Sequence, residues 1–287
     1  MNTPVLSLFL RKEIRDVRDN PQVLPGYLLL PAIAVALPAL FLVFLPLDPV
    51  TAAASDPDMA TLLRFASRDP LVAQFPERER IARIIVRDAG AFFLLMPIIL
   101  SSLSAALSIA IEKQQRTLEP ILATPVSDRA LLLAKLIGAV GPAIAVTWVS
   151  AMLSVILTSA ITHWRYGTAF TPDSAFFIVV AALAPLGGAA AALAGIRVSL
   201  GARDVQSAVQ TTTLWVLPSG MVIVILFGRA ALLGPLVALA MCLAAGLLVW
   251  WLYRRALARF DRDDRVDLPR PRRTAATAKW PAPPAGG

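Results

Sequence analysis

An uncharged, largely apolar run recurs six times along the chain, at 23–47, 89–111, 136–162, 174–196, 205–228 and 230–253. Each run holds at least 23 residues. At ~1.5 Å of rise per residue, a helix of that length clears the ~30 Å hydrocarbon core of a bilayer. The expected fold class is therefore an all-α integral membrane protein with six transmembrane helices. Composition agrees: hydrophobic residues make up 57% and charged ones 16%, with mean hydropathy +0.69, against about 45–50% and about 25% for soluble domains.

The segment ahead of the first run, 1–22, has a different pattern. Leu6, Phe9, Leu10, Ile14 and Val17 recur at helical spacing, with Arg11, Lys12, Arg15, Asp16, Arg18 and Asp19 on the remaining faces. This predicts an amphipathic helix over 5–19, too short and too charged to span, lying in the cytoplasmic interface. The first span, 23–47, is rich in proline (Pro25, Pro31, Pro38 and Pro46) and should be bent. Ala52-Ala53-Ala54 fits a cleavage pattern, but the apolar run before it far exceeds the ~7–15 residues of a signal core, so an uncleaved span is expected.

Residues 48–88 form the longest polar connection, with six arginines, seven acids and Pro49, Pro57, Pro70 and Pro76 as breakers. Short helices are predicted at 59–66 and 77–88 in a small extracytoplasmic cap. Six spans place both termini on one side. That side carries nineteen basic residues and the other eight, so the positive-inside tendency puts both termini in the cytoplasm, against the six arginines of the outer loop. Trp250, Trp251 and Tyr253 followed by Arg254, Arg255 and Arg259 form an interfacial belt, as do His163-Trp164-Arg165-Tyr166. The tail, 254–287, contributes +5 of the formal net charge of +8 and is proline-rich, which predicts disorder. A basic balance beside spans points to a negatively charged membrane face rather than to nucleic acid.

One polar connection is longer than joining two spans requires. Glu112 to Lys135 reads EKQQRTLEPILATPVSDRALLLAK. Glu112, Lys113, Gln114, Gln115, Arg116 and Glu119 favour helix, and Leu118, Ile121 and Leu122 share one face. Pro125 holds Thr124 extended and closes the unit, and Ser127 or Asp128 can cap the helix that follows. The product is a short apolar-faced element at 112–127, suited to a groove on a soluble partner. Glu112-Lys113-x-x-x-Thr117-Leu118-Glu119-Pro120-Ile121-Leu122-Ala123-Thr124-Pro125-Val126-Ser127, with Leu132 to Lys135 and Gly138, resembles the signature of ABC type-2 permeases, the membrane subunits of ATP-driven exporters.

The resemblance implies a coupling helix at this stretch that seats on a cytoplasmic ABC ATP-binding subunit. Leu118, Ile121 and Leu122 would fill the partner's groove, and Glu112, Arg116 and Glu119 would set register by charge. It also implies a homodimer or a pairing with a paralogous permease in a bacterial inner (plasma) membrane. In that family the second and fifth spans meet at the dimer axis. Ser101 and Ser108 in the second span, with Gln210 and Thr213 in the fifth, are the corresponding candidates for a translocation path. Helix packing is the other reading of the serines.

The chain itself shows no Gly-x-x-x-x-Gly-Lys-Ser/Thr, no His-Glu-x-x-His and no cysteine pair, since Cys242 is its one cysteine. No bound cofactor, metal site or catalytic residue is expected, and ATP would be used by the partner subunit. Charged residues deep in the spans are lacking, which disfavours an ion relay. Two rival classes remain: a stand-alone secondary carrier or channel, and a membrane scaffold that recruits a soluble protein without transporting.

Overall fold

The computed structural model describes residues 23–115, 128–202, 204–223 and 234–263, together with Arg15 and Ile225 as isolated positions. The described residues are helical, without strands. The helices are α1 (Leu24–Phe44), α2 (Pro49–Ser55), α3 (Pro57–Ser67), α4 (Glu77–Gln114), α5 (Asp128–Tyr166), α6 (Ser174–Ile178), α7 (Ala184–Gly201), α8 (Val205–Ile223) and α9 (Pro235–Asp263). A π-helical turn, Val179–Leu183, joins α6 to α7 without a break. Five helical segments are long and apolar enough to cross a membrane: Leu24–Phe44, Glu77–Glu112, Leu131–Tyr166, Ser174–Ser199 and Pro235–Leu257. The expected fifth span is a helix over its described part, α8, but its polar first half keeps it out of that set.

Several extents differ from the hydropathy reading. The helix predicted at 77–88 is not separate, because no breaker stands between Asp88 and Ala89, and α4 runs on through the expected span 89–111 with Pro97 inside it. Likewise α5 starts at Asp128, two turns before the uncharged run at 136–162, and α9 continues past residue 253 to Asp263. Hydropathy marks where charges stop, whereas the backbone helix continues through charged residues that favour it. The expected interfacial helix at 5–19, most of the coupling stretch, the connection around Arg229 and the tail beyond 263 lie outside the described residues. In the 48–88 connection, Asp48 and Asp56 cap α2 and α3: their carboxylates accept from Val50 N at 3.1 Å and Asp58 N at 2.9 Å, with Pro49 and Pro57 opening each helix.

Helix α4 is the axis of the bundle, packed by α1, α5, α7 and α8. Of its most apolar window, 72% is buried, against 6% for α9 at the periphery. Its closest neighbour is α7, and small residues set that distance. A Cβ on Gly195 would stand 2.4 Å from the carbonyl oxygen of Ser102, and one on Gly188 would meet Pro97 and Ser101 at 3.1 Å. The two backbones are thus in contact, as small residues permit in membrane helices. Ser199, one turn beyond Gly195, donates to the Ala106 carbonyl at 2.7 Å, adding an interhelical bond to the same stripe.

The π-turn has a local chemical cause. Ala184 N donates to Val179 O, five residues back. The next bond in that register would need an N–H from residue 185, which is proline and has none. The stranded Val180 carbonyl instead accepts from the Trp148 indole Nε1 of α5 at 3.1 Å. In hydrocarbon an unpaired carbonyl is costly, so Trp148 lets the fourth apolar segment carry its proline without an orphan.

The hydroxyls along α5 behave similarly but within one helix. Thr147, Ser150, Thr158 and Thr162 donate to the carbonyls of Ala143, Val146, Ser154 and Thr158, four residues back. These side chains are buried. Bonding to their own helix satisfies them, and no polar path is needed to explain them.

Candidate functional site

Helices α4 and α5 run side by side, and the stretch singled out in the sequence joins their ends. Where they meet, Lys135 Nζ lies 2.5 Å from Glu112 Oε2 and 3.2 Å from Ser108 Oγ. The two charged side chains are 8% and 7% exposed. Glu112 closes the uncharged run of α4, and Lys135 immediately precedes that of α5. Each is held inward by helix phase. Leu132 and Ala139, at i−3 and i+4 from Lys135, lie in one buried apolar cluster with Ala105 and Ile109 of α4. The ammonium is therefore drawn to the only carboxylate that reaches it from the facing helix among the described residues. A buried pair of this kind gains strong Coulomb attraction and loses hydration, so the geometry matters more than the net energy.

Of the residues picked out for docking, Glu112 is thus turned into the bundle and bonded to Lys135. Arg116, Leu118, Glu119, Ile121 and Leu122 lie outside the described residues. The four residues picked out for a path do not converge on one surface. Ser101 is fully buried against Gly188, and its Oγ has no hydrogen-bond partner among the described residues. Ser108 belongs to the Glu112–Lys135 cluster. Gln210 and Thr213 stand together on an exposed stripe of α8, beside Leu214 and Trp215. Asp204 caps α8, its carboxylate accepting from Ser207 N at 2.6 Å, and that backbone bond above all holds its pKa below the usual value.

Lys135 is the residue that sequence reasoning passed over. The signal was present: two single charges of opposite sign, one at each facing border of two uncharged runs. It does not identify a pair by itself, because a sequence does not show which way a side chain at a helix end points.

At the opposite rim the charges are more numerous and more widely shared. Arg87 Nη2 is 2.7 Å from Asp69 Oδ2 and its Nε 3.1 Å from Asp88 Oδ1. Arg83 pairs with Glu79 at 2.8 Å, its guanidinium 3.8 Å from the Phe75 ring centroid and 4.1 Å from that of Phe170. Arg80 donates to the Phe75 and Ala73 carbonyls and to Ser67 Oγ, each at 3.0 Å. Arg165 donates to the carbonyls of Val43 and Leu45 at the end of α1. Five of the six arginines of the 48–88 stretch therefore bond or pair within it, Arg78 with Glu79 at 3.9 Å and Arg64 with its own helix. They serve structure there.

Residues 84–196 match the family model described as ABC-2 family transporter protein. Over that segment the chain is similar to ABC-2 family transporter proteins. No curated protein and no solved structure matches the chain. The matched segment begins within α4, crosses the Glu112–Lys135 pair and the whole polar connection, and ends in α7. It therefore contains the tightest helix pair of the bundle as well as the buried ion pair. With five apolar helices, the ABC-2 segment makes this a multi-pass membrane protein. Among the described residues, no group of three or more His, Cys, Asp or Glu is placed to hold a metal ion.

Proposed function

We propose that this chain is the permease subunit of an ATP-driven ABC export system, coupled through residues 112–127 to a separate cytoplasmic ATP-binding subunit. The observation that carries the reading is the ABC-2 match over residues 84–196, which includes the connection between α4 and α5. In this reading α8 is the fifth of six crossing helices and both termini are cytoplasmic, in a bacterial inner membrane. Leu118, Ile121 and Leu122 fill the partner's groove, and Arg116 and Glu119 set its register.

Glu112 acts one step behind that surface. Paired with Lys135, it ties the end of α4 to the first turns of α5, so that a push on the connection moves both helices as one body. A connection free at either end would absorb the motion in its own bending. Gln210 and Thr213 support a second permease copy, because a glutamine facing hydrocarbon is unfavourable and the described fold leaves this stripe of α8 exposed. ATP binds the partner and not this chain.

The test is purification of the tagged chain in mild detergent from its native cell, with an ATPase assay of what accompanies it. A co-purifying ATPase whose activity the permease alters is the expected result. A clean, ATPase-free oligomer, under conditions that preserve known complexes, overturns the reading in favour of a stand-alone carrier. Leu118→Asp should then release the ATPase while leaving the helical fold intact.

A further inference from the structure

A cavity of about 390 Å³ opens between α4, α7, α8 and α9, in the membrane-spanning part of the bundle. Its volume falls within the ~300–1,000 Å³ of small-molecule sites. Small residues on α7, among them Gly187, Ala190 and Ala194, leave the space, while Met241 and Leu248 of α9 form the opposite wall. Every lining side chain is apolar, so nothing in the cavity can hold water or a polar ligand in a fixed orientation. What it can hold is a hydrocarbon chain.

A second feature lies on the same wall. Met241, Leu248 and Arg255 are seven residues apart on α9 and so share one face of the helix. Arg255 stands ~10.5 Å beyond Leu248 along the axis, past the last uncharged residue of that run. It is exposed, its guanidinium stacked 3.9 Å over the ring centroid of Trp251. Trp250 and Arg254 form a parallel pair at 4.5 Å. Stacking leaves the guanidinium N–H groups pointing away from the ring, where they can bind a phosphate. An apolar chain-sized space thus continues along one helix face into a pre-oriented cation at the interface, in the order of a phospholipid's own parts.

We propose that this cavity is a structural lipid site that takes one acyl chain of an anionic phospholipid, with its phosphate on Arg255. The site goes beyond the permease function and is independent of it, needing only that α7 and α9 lie in the bilayer. The bound lipid is a filler of the bundle, wedged where α9 would otherwise have little to pack against.

The experiment uses the purified full chain, with whatever subunit accompanies it, in nanodiscs containing a trace of phosphatidylglycerol that bears a photoactivatable diazirine on its acyl chain. Cross-links are mapped by mass spectrometry. The expected result is labelling concentrated on the cavity walls, Met241 and Leu248 above all, at several-fold the level on the exposed faces of α1 and α5. Ala190→Phe, which fills the space, should remove that enrichment, and Ala245→Phe from the other wall should do the same. Arg255→Gln should lower it several-fold for phosphatidylglycerol and not for diacylglycerol carrying the same probe, which has no phosphate.

Even labelling over all lipid-facing helices overturns the proposal, as does labelling that both filling variants leave unchanged. Equal labelling by the two lipids, insensitive to Arg255→Gln, overturns the headgroup assignment. Cross-links from these residues to a second copy of the chain give the cavity to an oligomer contact and overturn it as well. A failed lipid test leaves the ATPase co-purification result untouched.

Discussion

The two ends of α4 solve the same problem in opposite ways. At its N-terminal end, Arg80, Arg83 and Arg87 spread their contacts over acids, backbone carbonyls, a hydroxyl and two aromatic rings. At the other end, a single lysine meets a single glutamate, with Ser108 beside them. The first arrangement is redundant: any one contact can loosen while the rest hold the loop to the helix. The second is concentrated, so its state is nearly all or none. Redundancy suits a cap that stays put, and concentration suits a joint whose alignment is to be transmitted. The distinction lies in the number of partners rather than in burial, since Arg87 and Asp69 are each 11% exposed, close to the 7% and 8% of Lys135 and Glu112.

The sharpest way to break this contrast is at the concentrated end. Lys135→Met alone leaves Glu112 buried without its cation and should cost about 3–5 kcal/mol, read as a fall in the unfolding midpoint in detergent. Glu112→Met with Lys135→Met should recover most of that loss, since an apolar pair of similar volume replaces the ion pair. If the double variant is as unstable as the single, the pair is not the source of the effect. Gly195→Ala, on α7 where it touches α4, tests the shared axis: a Cβ 2.4 Å from the Ser102 carbonyl oxygen forces α7 away from α4 and should cost about 1–3 kcal/mol.

At the N-terminal end the expected effects are smaller. Arg87→Ala, which leaves Asp69 without its bond, should cost about 1.5–3 kcal/mol. Arg80→Ala should cost about 0.5–1.5 kcal/mol, because its partners are mostly neutral and near water. A loss at Arg80 as large as that at Lys135 would erase the difference between the two ends. The smallest effect is the α8 cap. The Asp204 carboxyl is held below its usual pKa by the Ser207 backbone bond, so its contribution is present above the unfolded value of ~3.9 and is lost as pH falls through the lower folded value. A fall in the protection factor of the Ser207 amide in acid, with the pH dependence abolished in Asp204→Ala, is the measurement.

Composition and spacing by themselves determined that this chain is a bundle of long helices for a bilayer. Runs of 23 or more uncharged residues leave few alternatives, and five of the expected spans reappear as apolar helices. The motif around Glu112 likewise pointed to the ABC-2 segment that the family match covers, since such signatures are local in sequence. What a linear pattern does not contain is rotation about a helix axis and distance between helices. Ser101, Ser108, Gln210 and Thr213 look alike as polar residues in apolar runs. Helix phase sends the first against Gly188, the second to Lys135 and the last two to an exposed face. The rescue of the Val180 carbonyl by Trp148 and the inward turn of Glu112 also depended on neighbours far away in the chain. Tertiary structure decided them, because burying a charge or a carbonyl in a low-dielectric interior is tolerable only where another helix supplies its partner.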